Sequence, residues 1–129
     1  MSTPRQTINA AAAPPAAGPY SHAVRHGDLL FCSGQVPLDP QTGKLVDGTI
    51  GEQTAQCLRN LQAVCEAAGG DLADTVRAGI YVTDIATFAQ VNEAYGQFFT
   101  QDPPARSTIG VAALPLGADV EIDAIVALR

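Results

Sequence analysis

The chain has 129 residues, of which 47% are hydrophobic and 16% are charged, enough apolar material for one domain with a sizeable core. Its formal net charge of −6, with only 7 scattered basic residues, argues against binding to the phosphate backbone of nucleic acids, and no apolar run approaches the roughly 20 residues of a membrane span. The three cysteines, Cys32, Cys57 and Cys65, form neither a CxxC pair nor an even set, which argues against disulfides and a metal site and favours the cytoplasm.

Residues 1–19 are rich in alanine and proline, and in part they are predicted to form an extended N-terminal arm of a single domain spanning residues 1–129. The following segment, "HAVRHGDLLFCSGQ", contains two extended runs joined at residues 26–28, which predicts a β-hairpin. His22 and His26 flank this turn and are interpreted as solvated imidazoles. A loop rich in proline and glycine follows at residues 37–43.

The segment "TIGEQTAQCLRNLQAVCEAAGG" predicts an amphipathic helix. Thr49 and Glu52 have the spacing of a capping box, and the pair Gly69 and Gly70 is a stop signal. Apolar residues recur at steps of three and four along one face, as expected for a helix packed on a core. They are Leu58, Leu61, Val64, Cys65 and Ala68.

The next segment, "TVRAGIYVTD", alternates between two kinds of residue and predicts a half-buried strand. We expect one face to carry Val76, Ala78, Ile80 and Val82, and the other to carry Arg77, Gly79, Tyr81 and Thr83. Asp84 or Thr87 can cap the helix that follows.

A second helix is predicted in "DIATFAQVNEAYGQFF", ending at Pro103 and Pro104. Its buried face contains Phe88, Val91, Asn92, Tyr95, Phe98 and Phe99. Asn92 is the one amide on this face and needs a polar partner; from the residues alone, it either bonds to the backbone or contacts a ligand.

Two more strands are predicted after the second helix. One begins near Ser107, and a turn at "LPLGAD" leads to the terminal strand. One face of that strand carries Val120, Ile122, Ala124, Val126 and Leu128. The order of elements predicts an α+β fold with a mixed sheet and both helices on one face. Apolar residues on the other face, such as Tyr81, Ile109 and Ile125, then need cover, which a second copy of the chain can supply.

The chain lacks the GxSxG, GxGxxG and GxxxxGK[ST] motifs, which argues against a serine hydrolase and a nucleotide cofactor. Cys32 lies in an apolar strand and is interpreted as a core residue. Arg106, in "PPARSTIGV", keeps its charge at any physiological pH and so requires an anion. If its strand pairs with the strand that carries Glu121, the two side chains share a pocket. The residues alone leave open an ion pair or a ligand site there, and Tyr20 can equally be an anchor for the arm.

Five segments occur together in the order typical of one family: "GPYSHAV", "LLFCSGQVPLDPQTGKLV", "VNEAYGQFF", "PARST" and "VEIDAIVAL". From about Ile8 onward the chain resembles the RidA/YjgF family of reactive intermediate deaminases. The resemblance implies a chorismate-mutase-like fold and a homotrimer with a central barrel-like core and three clefts between subunits. It also implies a hydrolase that converts enamines and imines, such as 2-iminobutanoate and 2-iminopropanoate, to 2-oxo acids and ammonia without a cofactor, as part of metabolite damage control.

The resemblance assigns roles to individual residues. It implies that Arg106 binds the substrate carboxylate, that Glu121 orients the attacking water, and that Tyr20 joins them as a catalytic residue. It further implies four substrate-binding residues: Ser33, Gly34, Asn92 and Thr108. Two positions depart from the family pattern, because Thr108 stands where many members carry cysteine and His22 replaces a frequent glutamine.

Two other functions remain open at this point. The same cleft could bind or sense a 2-oxo acid without turnover. An endoribonuclease acting as a translation inhibitor is a weaker alternative, because the acidic chain offers little attraction to RNA.

Overall fold

A single six-stranded mixed sheet organises the chain, in a computed structural model that describes residues 4–129. The elements are β1 (Gln6–Ile8), β2 (Ala23–His26), β3 (Leu29–Gln35), α1 (Ile50–Ala67), β4 (Thr75–Val82), α2 (Phe88–Gly96), β5 (Ala105–Gly110) and β6 (Val120–Ala127). The strand order is β1-β2-β3-β6-β4-β5, and only β4 and β5 are parallel. The predicted α+β class is therefore confirmed, with one strand more than expected, since β1 lies within the N-terminal arm.

Helix α1 begins and ends where its sequence signals predict. Thr49 Oγ1 accepts a hydrogen bond from the Glu52 backbone N–H at 3.2 Å, and Glu52 Oε1 accepts one from the Thr49 N–H at 3.4 Å. Gly69, with φ of 78°, takes the left-handed conformation that favours glycine after a helix. Leu58 and Leu61 are fully buried against the sheet.

The predicted alternation of β4 holds except at its start. Ala78, Ile80 and Val82 are buried as expected, but Val76 is 46% exposed. A shift in the pairing of β4 with β6 between Thr75 and Arg77 is the reason. An extra residue at this bulge turns Val76 outward and leaves the buried position to Thr75.

The two faces of the sheet differ in cover. On β6 the predicted face, from Val120 to Leu128, is buried beneath the helices. The opposite face is only partly covered, and apolar side chains such as Phe31 and Ile109 are more than 40% exposed there. This open face is the one for which the sequence predicts a covering partner.

The strand predicted near Ser107 is confirmed as β5, which begins at Ala105, but the region around α2 departs from the sequence prediction in two ways. The helix ends at Gly96, several residues before the prolines. Asp84 caps the short 3₁₀ turn Ile85–Thr87 by accepting from the Ala86 N–H at 3.0 Å, whereas Thr87 makes no side-chain capping bond. Within residues 4–129, no helix combines the length and apolar character needed to cross a bilayer.

The capping box of α1 generates a stability prediction. Replacing Thr49 with alanine should lower the free energy of unfolding by about 1 kcal/mol, because the Glu52 N–H loses its acceptor. Urea unfolding followed by circular dichroism measures this difference. Thr100→Ala, at an exposed position outside any helix or strand, is the matched control and should change stability by less than about 0.5 kcal/mol. Equal effects of the two substitutions would contradict the proposed role of the cap.

Candidate active site

The guanidinium of Arg106 is held by one face of α2. Arg106 lies opposite Ala78 in the β4–β5 pairing and therefore points to the helix-covered side of the sheet. Its Nη2 donates to Asn92 Oδ1 at 2.6 Å. Its Cζ lies 4.8 Å from the ring centre of Tyr95 and 5.6 Å from that of Phe88, distances at which a cation is attracted to an aromatic face. The polar partner that the sequence requires for Asn92 is thus Arg106.

Two hydroxyl groups on the helix-covered side of the sheet are buried without a hydrogen-bond partner among residues 4–129. They are the Tyr95 hydroxyl and Thr108 Oγ1. Burial raises the pKa of the Tyr95 phenol, an effect that the positive charge of Arg106 partly opposes, so the phenol retains its proton as a donor. Unsatisfied buried hydroxyls are uncommon, and here they accompany a cation.

Arg106 meets no carboxylate of its own chain among residues 4–129, where the one ion pair joins Arg129 and Asp74. The strands that carry Arg106 and Glu121 do not pair, because β4 lies between β5 and β6. Moreover, Glu121 lies opposite Tyr81, on the other face of the sheet from Arg106. One chain therefore does not bring the two side chains into a common pocket.

Glu121 occupies a second site on the open side of the sheet. Its carboxylate packs directly on Gly34, and a Cβ atom at position 34 would overlap the carboxylate and force the Glu121 side chain to move. Gly34 lies in a bulge where the pairing of β3 with β6 shifts between Cys32 and Gln35. The bulge and the missing side chain together make room for the acid.

The charge on Glu121 is disfavoured by its surroundings. Partial burial and the nearby carboxylate of Asp123 both raise the pKa of Glu121. Asp123 is in turn held by the Tyr81 hydroxyl, which donates to its Oδ2 at 3.1 Å. A raised pKa makes the carboxylate a better proton acceptor than an ordinary glutamate.

The N-terminal arm and two loops enclose a cavity of about 50 Å³ beside Glu121. Tyr20 lines this cavity, is 48% exposed, and accepts a hydrogen bond from the Ala17 N–H through its hydroxyl oxygen at 3.1 Å. Leu116 stands at the rim with a left-handed φ of 62°, which is unfavourable for leucine. The other lining residues include Pro14, Pro15, Ala16, Ala17, Gly34, Gln35, Val36, Leu38 and Pro115.

The seven residues singled out in the sequence thus divide into two groups. Arg106, Asn92 and Thr108 lie on the helix-covered side at the β5 edge, whereas Tyr20, Gly34 and Glu121 surround the cavity on the open side. Ser33 is adjacent to the second group but turns its hydroxyl to the backbone, where Oγ donates to the Ser21 carbonyl at 2.7 Å.

Sequence reasoning missed the polar support of the cavity. Asn60, buried in α1, donates through Nδ2 to the carbonyl oxygens of Val36 and Leu38 at 3.3 and 2.9 Å. Gln56 Nε2 donates to Asn60 Oδ1 at 2.9 Å. The sequence contained a signal for this role, because Asn60 lies on the same helical face as Leu61 and Val64. Asn92 is a comparable amide on the apolar face of α2.

The histidines and Cys32 differ in burial. The interpretation of His22 as solvated is wrong, because its ring is buried; that of His26 is confirmed, because it is exposed. Cys32 is a buried core residue as expected, and the neighbouring Cys65 thiol and burial raise its pKa. No cluster of three His, Cys, Asp or Glu side chains suited to a metal ion occurs in the part of the chain that the structure describes.

Comparison with known proteins gives a consistent family. A family model with the description Endoribonuclease L-PSP matches residues 10–128. The RutC family protein y4sK of Sinorhizobium fredii is 51% identical over 116 residues, covering 90% of this chain and 92% of the relative. Human 2-iminobutanoate/2-iminopropanoate deaminase is 42% identical over 121 residues, covering 94% of this chain and 88% of the relative. The crystal structure of E. coli TdcF with bound serine matches with a TM-score of 0.90 at 36% identity. The match covers 96% of this chain and 99% of the TdcF chain. The chain therefore belongs to the RidA/YjgF family.

Proposed function

We propose that this protein hydrolyses small 2-imino acids and their enamine forms, such as 2-iminobutanoate and 2-iminopropanoate, to 2-oxo acids and ammonia. The observation that carries the proposal is the Arg106 guanidinium, held in place by α2 while facing no carboxylate among residues 4–129. A cation that is fixed but not neutralised is suited to an anionic ligand, and a carboxylate matches the planar fork of arginine. The named activity of the human relative supports the same choice of substrate.

The Arg106 group supplies the substrate carboxylate with several donors. The guanidinium has N–H groups beyond the one given to Asn92, and Thr108 and Tyr95 carry buried hydroxyls without partners among residues 4–129 on the same side of the sheet. Contacts with the Phe88 and Tyr95 rings fix the guanidinium plane before the ligand arrives. Such preorganisation lowers the entropic cost of binding and sets the position of the reacting carbon.

We propose that the cleft is completed between chains. Arg106 lies on the edge strand β5, and the Glu121 cavity lies on the open side, so a head-to-tail contact can bring the first group of one copy to the second group of the next. Three copies closing a ring would give three such clefts around a central barrel-like core. The exposed apolar residues of the open face, Phe31 and Ile109 among them, supply surface for that contact.

The chemistry requires only water and proton transfer. With the carboxylate held by Arg106, a water hydrogen-bonded to Glu121 adds to the imine carbon, its oxygen forming the new C–O bond while its proton passes to the Glu121 carboxylate. The substrate reacts as its iminium form, already protonated from solvent, so this addition gives a neutral carbinolamine. Glu121 then returns its proton to the amine, the C–N bond breaks and ammonia leaves. The proton of the carbinolamine hydroxyl passes to the Glu121 carboxylate, and from there to solvent, as that oxygen becomes the carbonyl of the 2-oxo acid. The raised pKa of Glu121 favours its acceptance of the proton from water.

The proposed reaction needs no cofactor or metal. We expect the three cysteines to be reduced, which fits a cytoplasmic location. Tyr20, with its hydroxyl at the cavity wall, is proposed to help orient the water, and Gly34 and Ser33 to shape the cavity.

A second candidate is binding of a small carboxylate without turnover. The bound serine in TdcF favours it, because serine carries a carboxylate and is not an imine. Cleavage of RNA, suggested by the description of the family model, is disfavoured by the net charge of −6 and the absence of a basic surface cluster in the sequence.

The role of Arg106 generates a direct prediction. With an imine generated by an amino-acid oxidase and trapped by semicarbazide, added protein should reduce trapping. Arg106→Ala should lower kcat/KM about a hundredfold or more, and Arg106→Lys about tenfold, because lysine keeps the charge but loses the two-point fork.

Arg5→Ala is the matched control, since Arg5 is exposed beside β1 at the opposite edge of the sheet. It should leave kcat/KM unchanged. Undiminished trapping with the parent protein would reject the deaminase, and oxo-acid binding in calorimetry without any rate would then select the binding candidate. An Arg106→Ala variant as active as the parent would reject the role of the arginine.

The environment of Glu121 predicts a pH dependence. Because the pKa of Glu121 is raised, its carboxylate is lost on acidification at a higher pH than for an ordinary glutamate, and kcat should decline there. Asp123→Asn removes one cause of the shift, so the acid-side decline should move to lower pH. Glu121→Gln should abolish activity, because the proton acceptor is lost. It should not lower the thermal midpoint at pH 7, because ionised Glu121 is less favourable in the folded chain than in the unfolded chain.

Asp47→Asn removes one negative charge from an exposed loop and is the control for this series. A decline at the same pH in Asp123→Asn and the parent would contradict the proposed coupling of the two acids.

A further inference from the structure

The imidazole of His22 has one possible neutral form in this structure. The side chain is buried, with the residue only 4% exposed. Its Nδ1 lies 2.9 Å from the backbone N of Ala10, and its Nε2 lies 2.8 Å from the carbonyl oxygen of Pro14. A backbone N–H only donates and a carbonyl oxygen only accepts, so Nδ1 must be unprotonated and Nε2 must carry the proton. The ring is therefore neutral.

These two bonds fasten the N-terminal arm. Between the end of β1 at Ile8 and the start of β2 at Ala23, the chain forms no helix or strand. This segment is instead held in place by the hydrogen bonds of the His22 ring. The His22 N–H donates a further bond to Asn9 Oδ1 at 3.4 Å, and the Ser33 hydroxyl donates one to the Ser21 carbonyl. Residues 14–17, which follow directly from the His22 bonds, form a wall of the Glu121 cavity.

We propose that His22 is a positioning residue that holds the arm as a wall of the Glu121 cavity only while its imidazole is neutral. A second proton on the ring turns Nδ1 into a donor that faces the donor N–H of Ala10, and the bond between them is lost. The imidazolium would also be a buried charge, and hydration of that charge favours release of the arm. Acidification thus loosens residues 9–17 while the sheet and helices remain folded.

The charges around the ring do not oppose this release strongly. From β6, Glu121 lines the same cavity, and partial burial together with the nearby Asp123 raises its pKa, which disfavours the charged form that would act as a counter-ion. From the arm, Tyr20 is an uncharged phenol, and β3 contributes only Gly34 and Gln35 to this cavity. Within residues 4–129 the only side-chain hydrogen bonds of the His22 ring are those to Ala10 and Pro14.

The first test is the tautomer. In a long-range ¹H–¹⁵N NMR spectrum at about pH 8, His22 should appear as the pure Nε2–H form, whereas the exposed His26 should show the averaged pattern of a solvated ring. An Nδ1–H or averaged form for His22 would overturn the proposal. This measurement uses the parent protein and does not depend on the folding of any variant.

The second test is hydrogen exchange of the arm. From about pH 8 to about pH 5, the protection factor of the Ala10 amide should fall about tenfold or more, while amides in α1 stay protected. In His22→Gln the fall should disappear, because a glutamine amide can accept from Ala10 and donate to Pro14 but does not titrate in this range. His26→Gln should retain the parent's response, and His22→Leu should lose protection at every pH.

An equal fall in the parent and in His22→Gln would overturn the proposal, as would constant protection in the parent. Neither readout involves catalysis, so the proposal about the arm stands or falls separately from the proposed deaminase activity.

Discussion

Helix α2 holds the Arg106 guanidinium in place, and the proposed site depends on this interaction. Asn92, Tyr95 and Phe88 lie on one face of the helix and supply a hydrogen bond and two aromatic faces to the cation. None of the three neutralises it. The chain therefore stabilises a fixed positive charge at the edge of its sheet without an anion of its own among residues 4–129, and an arrangement of this kind is favourable when a ligand supplies the anion.

Strand order decides what this cation can do within one chain. Because β4 separates β5 from β6, and because alternate residues of a strand point to opposite faces, Arg106 and Glu121 lie on opposite sides of the sheet. The cation has unused donors, and the acid has a raised pKa and a small cavity. Under the proposed function, each holds half of what imine hydrolysis requires. The proposed source of the other half is a neighbouring copy, and its contact would also cover the exposed apolar face.

Much of the fold followed from local signals in the sequence. The capping box at Thr49, the glycine stop and the alternation of β6 predict the elements in which they occur, because those signals act within a few residues. The bulge at Val76 and the pairing of β5 with β4 depend on contacts between distant segments, so the sequence pattern does not contain them. For the site, Arg106 and Asn92 were recognisable as a cation and an amide in apolar surroundings. The burial of His22 was not, since a histidine beside a turn gives no sign that an arm folds over it.

Co-assembly of two inactive variants tests whether each cleft is shared between two chains. Arg106→Ala and Glu121→Gln chains, expressed together and purified as an assembly of about three times the 13.3 kDa chain mass, should regain activity that neither variant has alone. If each cleft takes its arginine from one chain and its acid from the next, random mixing restores about a quarter of the clefts. Activity near a quarter of the parent value would agree with the account. Activity no higher than that of either variant alone, in an assembly shown to contain both chains, would contradict it.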